Sequence, residues 1–589
     1  MNSNSILNNK SVACPLDCFD TCEAVYENKK CKGNKEHKVT NGKLCVNFAN
    51  LLKEDFLKES YLNPEKALAK NLTADQKIKL EKISLDKSLD ILVEKLENTE
   101  PSKTIYYKGS GNLGLMQSSP KTFFSKYGAT FTKGDLCEGP GSNGLSKGRK
   151  HSSNPPIQNL IDSEIIIAWG RNFSITSPHM YNLVKDKTFI TIDPIKTPIA
   201  KKSELHLQIN PKTDYELALL LTRFAYMEDM EDEEFIQNHG HGADWFFDLA
   251  KQRPVVSYEE TTGISLNDIT KFYELIKGKK VSIMLGLGVQ KYYEGSQITR
   301  VIDSYAAYIG LHNKSAGGVW YIGDSTNGYE NKFEVKPKKT VSLPEVDFAS
   351  YDLVFIQGAN PIVSSPNTQR VIEGLEKSFV VFYGTTLNET SRYADLIIPS
   401  SDFLSKKDIR ISYGHELKAI SNAVIKKDEN TISEYELTQY LNNAFSFEKI
   451  KEEDEILDYY KNAKVEGISK IETFEFIEEI EIDNLYESKK EDEYYFITAK
   501  RKENLNSQFN SDDAVYLHPK SGFKTGDKVI LSSKYGKAFF LVNINEDIKE
   551  DCAFCFAGNK NSNYLTNHKS DEEADSAMFQ EVLIHIELS

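Results

Sequence analysis

Short runs rich in β-branched and aromatic residues recur between about residues 80 and 480 of the 589-residue chain: KTIYYKG, SEIIIAWG, TFITIDP, KVSIMLGLG, DLVFIQG, FVVFYG and DLIIP. Between them lie longer stretches with helical patterning, such as TDYELALLLTRFAYM. Strand runs alternating with helical stretches predict βαβ units and parallel sheets. In such sheets ligands sit at the ends of strands.

Two segments break this alternation. The N-terminal 60 residues form a turn-rich module, and five of the eight cysteines fall within the first 45 positions. From about residue 494 the text becomes YYFITAK, AVYLHP, GDKVILSS and KAFFLVNIN, short strands with Gly, Asp and Lys turns that predict a separate β-rich terminal domain. The charged stretch before it, residues 448–493, reads as a solvated helical face and linker. A net charge of −15, from 72 basic and 87 acidic side chains, argues against non-specific binding to nucleic acid or anionic lipid. No apolar run approaches the roughly 20 residues that span a bilayer, so no membrane insertion is expected. The opening MNSNSILNNK carries neither an apolar h-region nor a twin-arginine pair, and a cytoplasmic location is the expectation.

Residues 14–22 read CPLDCFDTC, and Cys45 follows in NGKLC. Spacings of four and four stack Cys14, Cys18 and Cys22 on one helix face or wrap them around a compact loop, so three thiols converge either way. Pro15, Asp17, Asp20 and Thr21 are turn and cap formers, which favours the loop. Zinc sites favour paired CxxC knuckles, which do not accompany this triplet, and burial as small apolar residues gives no reason for the regular spacing. A disulfide framework needs denser cysteines than these. Three close thiols and one distant thiol suit a cubane cluster, one cysteine to each iron. Cys31 competes with Cys45 for the fourth place, but it lies in NKKCKGN, an expected exposed hairpin, whereas Cys45 follows the turn at Gly42. Cys552 and Cys555, in DCAFCFAG, form a CxxC whose alternating apolar neighbours predict a strand with core cysteines.

Over nearly its whole length the chain resembles the molybdopterin oxidoreductases of the dimethyl sulfoxide reductase and formate dehydrogenase superfamily. CPLDCFDTC with GKLC resembles their N-terminal 4Fe-4S motif, with Cys14, Cys18, Cys22 and Cys45 as ligands. GDLCEGPGSNGL, residues 134–145, resembles the segment that supplies the protein ligand to the metal, and Cys137 falls at that position. IIIAWGRNFSITSPH, ITIDP, INPKTD and LGLGVQ resemble the loops that hold one pterin guanine dinucleotide, through Gly170, Asn172, Asp193, Pro194, Thr213, Asp214, Gly286, Gly288 and Gln290. DLVFIQGANPIVSSP and NETSRYADLIIPSSDFLSKKD resemble the matching half of the core, with Gly358, Asn360, Pro361 and Asp408. FITAKRKENLNSQF and YLHPKSGFKTGDKV resemble the barrel that closes over both cofactors, with Thr498 and Lys500.

The fold this implies is multidomain α/β. A 4Fe-4S domain spans residues 1–60, two interleaved, pseudo-symmetric Rossmann-like domains span 61–490, and a dinucleotide-binding β-barrel spans 491–589. The implied cofactors are a 4Fe-4S cluster and bis-molybdopterin guanine dinucleotide carrying molybdenum or tungsten.

The residue types suit those roles. Gly170 and Asn172 follow a buried strand, where a missing side chain lets backbone N–H groups approach a pyrophosphate. Asp193 can accept from a ribose or a guanine, and Asp214 either does the same or caps its helix. Cys137 as a thiolate is a soft, strongly donating metal ligand. Glu138 is the candidate acid or base, with a solvated loop carboxylate as the alternative; His179 is a candidate of a type that can titrate near neutrality, with a packing or cofactor-contact role as the preferred reading.

The expected activity is two-electron oxidation or reduction of a small substrate, with electrons relayed through the cluster to a separate electron-transfer protein. A non-redox hydratase or hydroxytransferase on the same cofactor, and a metal-free relay subunit, are the alternatives. Three departures from the family pattern stand out. Asn47 replaces the lysine that bridges cluster and pterin, Lys212 replaces a glycine in PKTD, and Glu138 stands where formate dehydrogenases have histidine, which disfavours formate.

Overall fold

The computed structural model describes residues 10–53, 63–67, 80–110, 113–323, 330–463, 470–480, 489–503, 505–509 and 512–589. The expected boundary at residue 60 and most of the opening decapeptide lie outside the described residues.

Every run quoted as a strand forms one. Leu205–Leu207, Thr188–Ile192, Ile165–Trp169, Val281–Leu285 and Gly318–Trp320 make a five-stranded sheet in that order, parallel throughout. A second sheet of eight strands runs Lys339–Ser342, Thr130–Lys133, Thr104–Lys108, Leu353–Gln357, Phe379–Gly384, Leu396–Pro399, Glu65–Ala67 and Leu80–Lys82; its last two strands are antiparallel additions. The central strands of both sheets are buried on both faces, so apolar residues fill them without alternation. The strands of the first sheet lie in the chain between Lys133 and Lys339 of the second, which gives the interleaving.

The two sheets repeat one device at their carboxyl ends. Ile165–Trp169 leads to Gly170 at φ 58°, whose N–H donates to Ile192 O at 2.8 Å, and then to Asn172 and the short helix Phe173–Thr176. Leu353–Gln357 leads to Gly358 at φ 54°, whose N–H donates to Tyr383 O at 2.9 Å, and then to Asn360 and the short helix Pro361–Ser364. Only glycine takes this left-handed turn without strain, so the backbone can double back over the strand ends.

The glycine-rich segment after Cys137 is the helix Gly139–Arg149, packed on Gly295–Tyr308. Glycine is a poor helix former, but a Cβ on Gly144 would lie 2.1 Å from Ser296 O, so close packing requires it here. The N-terminal module is a three-stranded antiparallel sheet, Ser11–Ala13, Glu23–Glu27 and Lys30–Gly33, with Cys14–Cys22 looped between its first two strands and closed by Cys14 N–H donating to Cys22 O at 2.8 Å. The cysteine triplet is thus the expected loop. Cys31 lies in the expected hairpin.

Residues from Tyr494 to Leu588 form a closed six-stranded barrel, which leaves no free strand edges. Cys552 and Cys555 are fully buried in its strand Cys552–Phe556. The charged stretch expected as a solvated helical face and linker holds a helix, Glu453–Asn462, whose Ile456, Leu457 and Tyr460 pack inward. Among the described residues no helix is long and apolar enough to cross a membrane.

Candidate functional site

The carboxyl ends of both parallel sheets, the cysteine loop and the barrel face one continuous cavity of about 1810 Å³. That exceeds the roughly 300–1,000 Å³ of a site for one small ligand. Of the residues the resemblance assigns, Cys137, Gly170, Asn172, Asp193, Pro194, Asp214, Gly286, Gly288, Gly358, Asn360, Thr498 and Lys500 line it. The loops are packed backbone on backbone: a Cβ on Gly286 would lie 2.0 Å from Gly170 O.

The carboxylates at one end are buried. Burial pushes the Asp193 and Asp214 carboxyls up to about 7, against the hydrogen bonds that Asp193 accepts from Ile195 N–H (2.9 Å) and Asp214 from Trp169 Nε1–H (2.7 Å). Asp214 opens the helix Asp214–Met227, but Thr213 is the residue at its cap position.

The loop bearing Cys137 is fixed from three sides. Cys137 N–H donates to Asp135 Oδ1 at 2.6 Å, Gln290 Nε2–H donates to Cys137 O at 2.6 Å, and Lys291 Nζ donates to Leu136 O at 3.1 Å. Gln290 also accepts from Gly141 N–H at 3.1 Å, so one side chain sets both the loop and the start of the following helix. Gly134 lies so close to the C-terminal segment that a Cβ would sit 2.0 Å from Asp575 O. Burial pushes the Cys137 thiol up to about 12. A bound metal ion offsets that penalty and makes the thiolate the stable form.

Buried cations stand in the cavity wall alongside its carboxylates. Lys108, Lys121, Arg171 and Lys291 line it, and burial lowers the pKa of each, Lys108 to about 8 and Arg171 to about 10. Among the described residues none of these has a carboxylate within 4.0 Å. Unpaired buried cations are costly, so the wall fits an anionic ligand such as a pyrophosphate-bearing pterin dinucleotide.

The cysteine loop forms part of the same wall, through Asp17, Cys18 and Phe19. Arg410 holds it from behind: Nη1 donates to Cys14 O at 2.8 Å and to Leu16 O, and Nη2 to Cys18 O at 2.8 Å. The four thiols face one another electrostatically. Burial raises the Cys22 thiol first, and Asp20, Cys14, Cys18 and Cys45 raise it further. Cys45 caps the helix Val46–Leu51, its Sγ accepting from Phe48 N–H at 3.4 Å. Among the described residues, the donor triplet compact enough for a single ion is Asp20, Cys22 and His179 rather than the four thiols. Asp20 is already committed there, accepting from His179 N–H (2.8 Å) and Met180 N–H (3.2 Å) at the start of the helix Pro178–Val184. Three thiols on one loop with a fourth from Cys45 match in kind the all-thiolate donor set of a 4Fe-4S cluster.

Several expected residues lie off the cavity. His179 is buried beneath the cysteine loop, and burial lowers its pKa to about 4, so the ring is held neutral away from water and packs there rather than titrating near neutrality. Glu138 accepts from Ser142 Oγ at 3.2 Å in the first turn of its own helix. Asp408 points away, accepting from Met116 N–H at 3.0 Å. Thr213 Oγ1 donates to Asn210 O at 2.8 Å, Pro361 begins its short helix, and Gln290 acts through the Cys137 loop.

Other residues face the cavity without having been anticipated. Asp17 Oδ1 accepts from Tyr413 Oη at 2.9 Å and Oδ2 from Asn506 Nδ2 at 2.9 Å, and its charge acts on both Cys137 and Lys108. The signal for Lys108 was present, since it ends the strand Thr104–Lys108.

A family model described as "Molybdopterin oxidoreductase" matches residues 70–443, more than half of the chain. The "Probable oxidoreductase YyaE" of Bacillus subtilis (strain 168) is 27% identical over 434 residues, 68% of this chain and 63% of that protein, so the match spans less than two thirds of that relative. The "Probable oxidoreductase YoaE" of the same organism is 26% identical over 483 residues, 76% of this chain and 70% of that protein. The "F420-dependent formate dehydrogenase subunit alpha" of Methanocaldococcus jannaschii is 24% identical over 478 residues, 66% of this chain and 70% of that protein. Among solved structures, "Acetylene Hydratase from Pelobacter acetylenicus" shares the fold with a TM-score of 0.78 and 17% identity, covering 98% of this chain and 100% of that one. The chain belongs to the molybdopterin oxidoreductase family.

Proposed function

We propose that the protein oxidises or reduces a small substrate by two electrons at a molybdenum or tungsten centre ligated by Cys137 and two pterin guanine dinucleotides. Cys14, Cys18, Cys22 and Cys45 would hold a 4Fe-4S cluster, which would supply one-electron relay to a separate carrier, in the cytoplasm. The units are residues 1–60, 61–490 and 491–589. The observation that carries this reading is the shared wall: Cys18 and Cys137 line one cavity whose buried cations await an anionic ligand.

When bound, the metal supplies the two-electron chemistry and the cluster the one-electron steps. The chain supplies position and protons. Gln290 and Asp135 hold the Cys137 loop, Gly286 lets its own loop pack on Gly170, and the glycine turns at 170 and 358 leave backbone facing the cavity. Asp17, fixed by Tyr413 and Asn506, presents its carboxylate to the same space as the proton-transfer group for the substrate. Lys108 faces the same space and favours electron-rich or anionic substrates.

Elemental and cofactor analysis of anaerobically purified protein tests this reading, followed by dye-linked assays across oxyanions, S-oxides, N-oxides and formate. Roughly four iron atoms and one molybdenum or tungsten per chain are expected; iron alone would reduce the protein to a relay subunit.

A further inference from the structure

The most basic stretch of this acidic chain covers the cysteine loop. Between residues 29 and 43 six lysines, Lys29, Lys30, Lys32, Lys35, Lys38 and Lys43, stand against the single carboxylate of Glu36, in a chain of net charge −15. All six are exposed. They share one surface. Lys29 lies in the tight turn of the hairpin, with Asn28 at φ 51° and Lys29 at φ 61°, and Lys30 and Lys32 lie on its second strand. That strand packs directly on the segment leading to Cys45, since a Cβ on Gly33 would lie 2.4 Å from Lys43 N. Beneath it Cys31, Leu44 and Cys45 pack against the core of the module.

Several surface lysines elsewhere pair with neighbouring acids, as in Lys66–Glu81, Lys277–Glu228 and Lys279–Glu164. Among the described residues none of these six has a carboxylate within 4.0 Å; Lys38 Nζ donates instead to Gln158 Oε1 at 2.8 Å. A face that merely kept the chain in solution would mix its signs. A predominantly basic patch, broken only by Glu36 within it and Glu27 across the hairpin from Lys30, on a molecule of opposite net charge creates a directional field: an acidic partner is repelled by the remaining surface and drawn to this one.

We propose that this lysine face is the docking surface for an acidic one-electron carrier protein. The proposal rests on the reading that Cys14, Cys18, Cys22 and Cys45 hold a cluster. In each encounter one electron crosses between carrier and cluster, no bond forms or breaks, and two encounters balance one two-electron turnover.

The test is stopped-flow mixing of the oxidised holoenzyme with a reduced acidic ferredoxin, following cluster absorbance. The second-order rate constant is expected to fall at least about tenfold between about 20 and about 300 mM salt. Lys29→Glu with Lys32→Glu is expected to slow the reaction about tenfold or more at low salt, and the neutralising pair Lys35→Gln with Lys43→Gln to slow it less. Iron content and dithionite-reduced EPR signal should be unchanged in both variants. Equal rates for wild type and both variants, or a rate indifferent to salt, would overturn the proposal. So would co-sedimentation of the wild type but not of the variants with phosphatidylglycerol vesicles, which would assign the face to lipid. Absence of iron and of any dithionite-reducible signal in the wild type would overturn the cluster reading itself, a different outcome from a cluster that forms but ignores the lysines.

Discussion

At the scale of single residues, the site separates groups that touch the reacting space from groups that aim them. Cys137 is of the first kind and Gln290 of the second, so their loss should differ in character. Replacing Cys137 by Ala is expected to leave iron content and folding intact while activity falls by at least about 100-fold; Gln290→Ala should retain the metal and lose roughly 10–100-fold, as supporting residues of metal sites do. Metal analysis beside steady-state kinetics distinguishes the two. Asp17→Asn should lower kcat by about 100-fold or more at unchanged iron and metal content, the usual cost of removing a proton-transfer group; an unchanged kcat would return Asp17 to a purely structural role. Asp17 was legible only as a turn former because two cysteines flank it and local chemistry explains it fully. Its partners Tyr413 and Asn506 lie hundreds of residues away, and nothing local announces them.

At the scale of elements, the strands were the most legible part, because full burial on both faces writes itself as an uninterrupted apolar run. The glycines that follow were legible as turns but not as two different devices. Gly286 is a packing requirement, since an added Cβ meets the rigid backbone at Gly170. Gly358 has open space around it and a φ of 54°, so its demand is conformational and its opening faces the cavity. Gly286→Ala should therefore destabilise the apoprotein, by about 1–3 kcal/mol in thermal unfolding. Gly358→Ala should cost the apoprotein only about 1 kcal/mol but lower bound pterin, read as fluorescence of the oxidised cofactor. The reverse pattern would mean that the cofactor lies elsewhere. The lysine at the odd place in PKTD finds its reason at this scale too. Lys212 adopts φ 68°, where glycine is usual, and pairs with Glu581, tying the loop to the end of the barrel.

At the scale of the whole molecule, buried ionisable groups pull stability in opposite directions with pH. Burial raises Asp193, Asp214 and Asp408 to about 7, so the folded chain holds protons there that the unfolded chain has already released above about 4. Their contribution is present at low pH and is lost as pH rises through about 4 to 7. Burial lowers His37, His179 and His415 to about 4, so the folded chain lacks protons that the unfolded chain binds below about 6.5; that contribution is lost as pH falls through about 6.5 to 4. Over the window they share the two sets of three oppose each other, so the apoprotein's stability should vary little with pH between about 4 and 6.5. Asp408→Asn removes one carboxylate from the first set, and its melting temperature should exceed that of wild type at pH near 8 and converge with it at pH near 4. Equal differences at both values would contradict a buried, proton-holding Asp408.

The overall architecture was readable from pattern and resemblance, the closed barrel included. The joint between cysteine loop and core was not, because it depends on Arg410 bonding three carbonyls nearly 400 positions away.

The central claim is that a cluster on the cysteine loop and a metal on Cys137 share one cavity wall. EPR spectroscopy of the anaerobically purified, partially reduced protein tests it most directly. The account predicts a pentavalent molybdenum or tungsten signal, split or broadened by a neighbouring reduced 4Fe-4S cluster, with the metal signal altered in Cys137→Ala and the cluster signal retained. A cluster signal with no metal signal, or a metal signal that shows no interaction with the cluster, would contradict it.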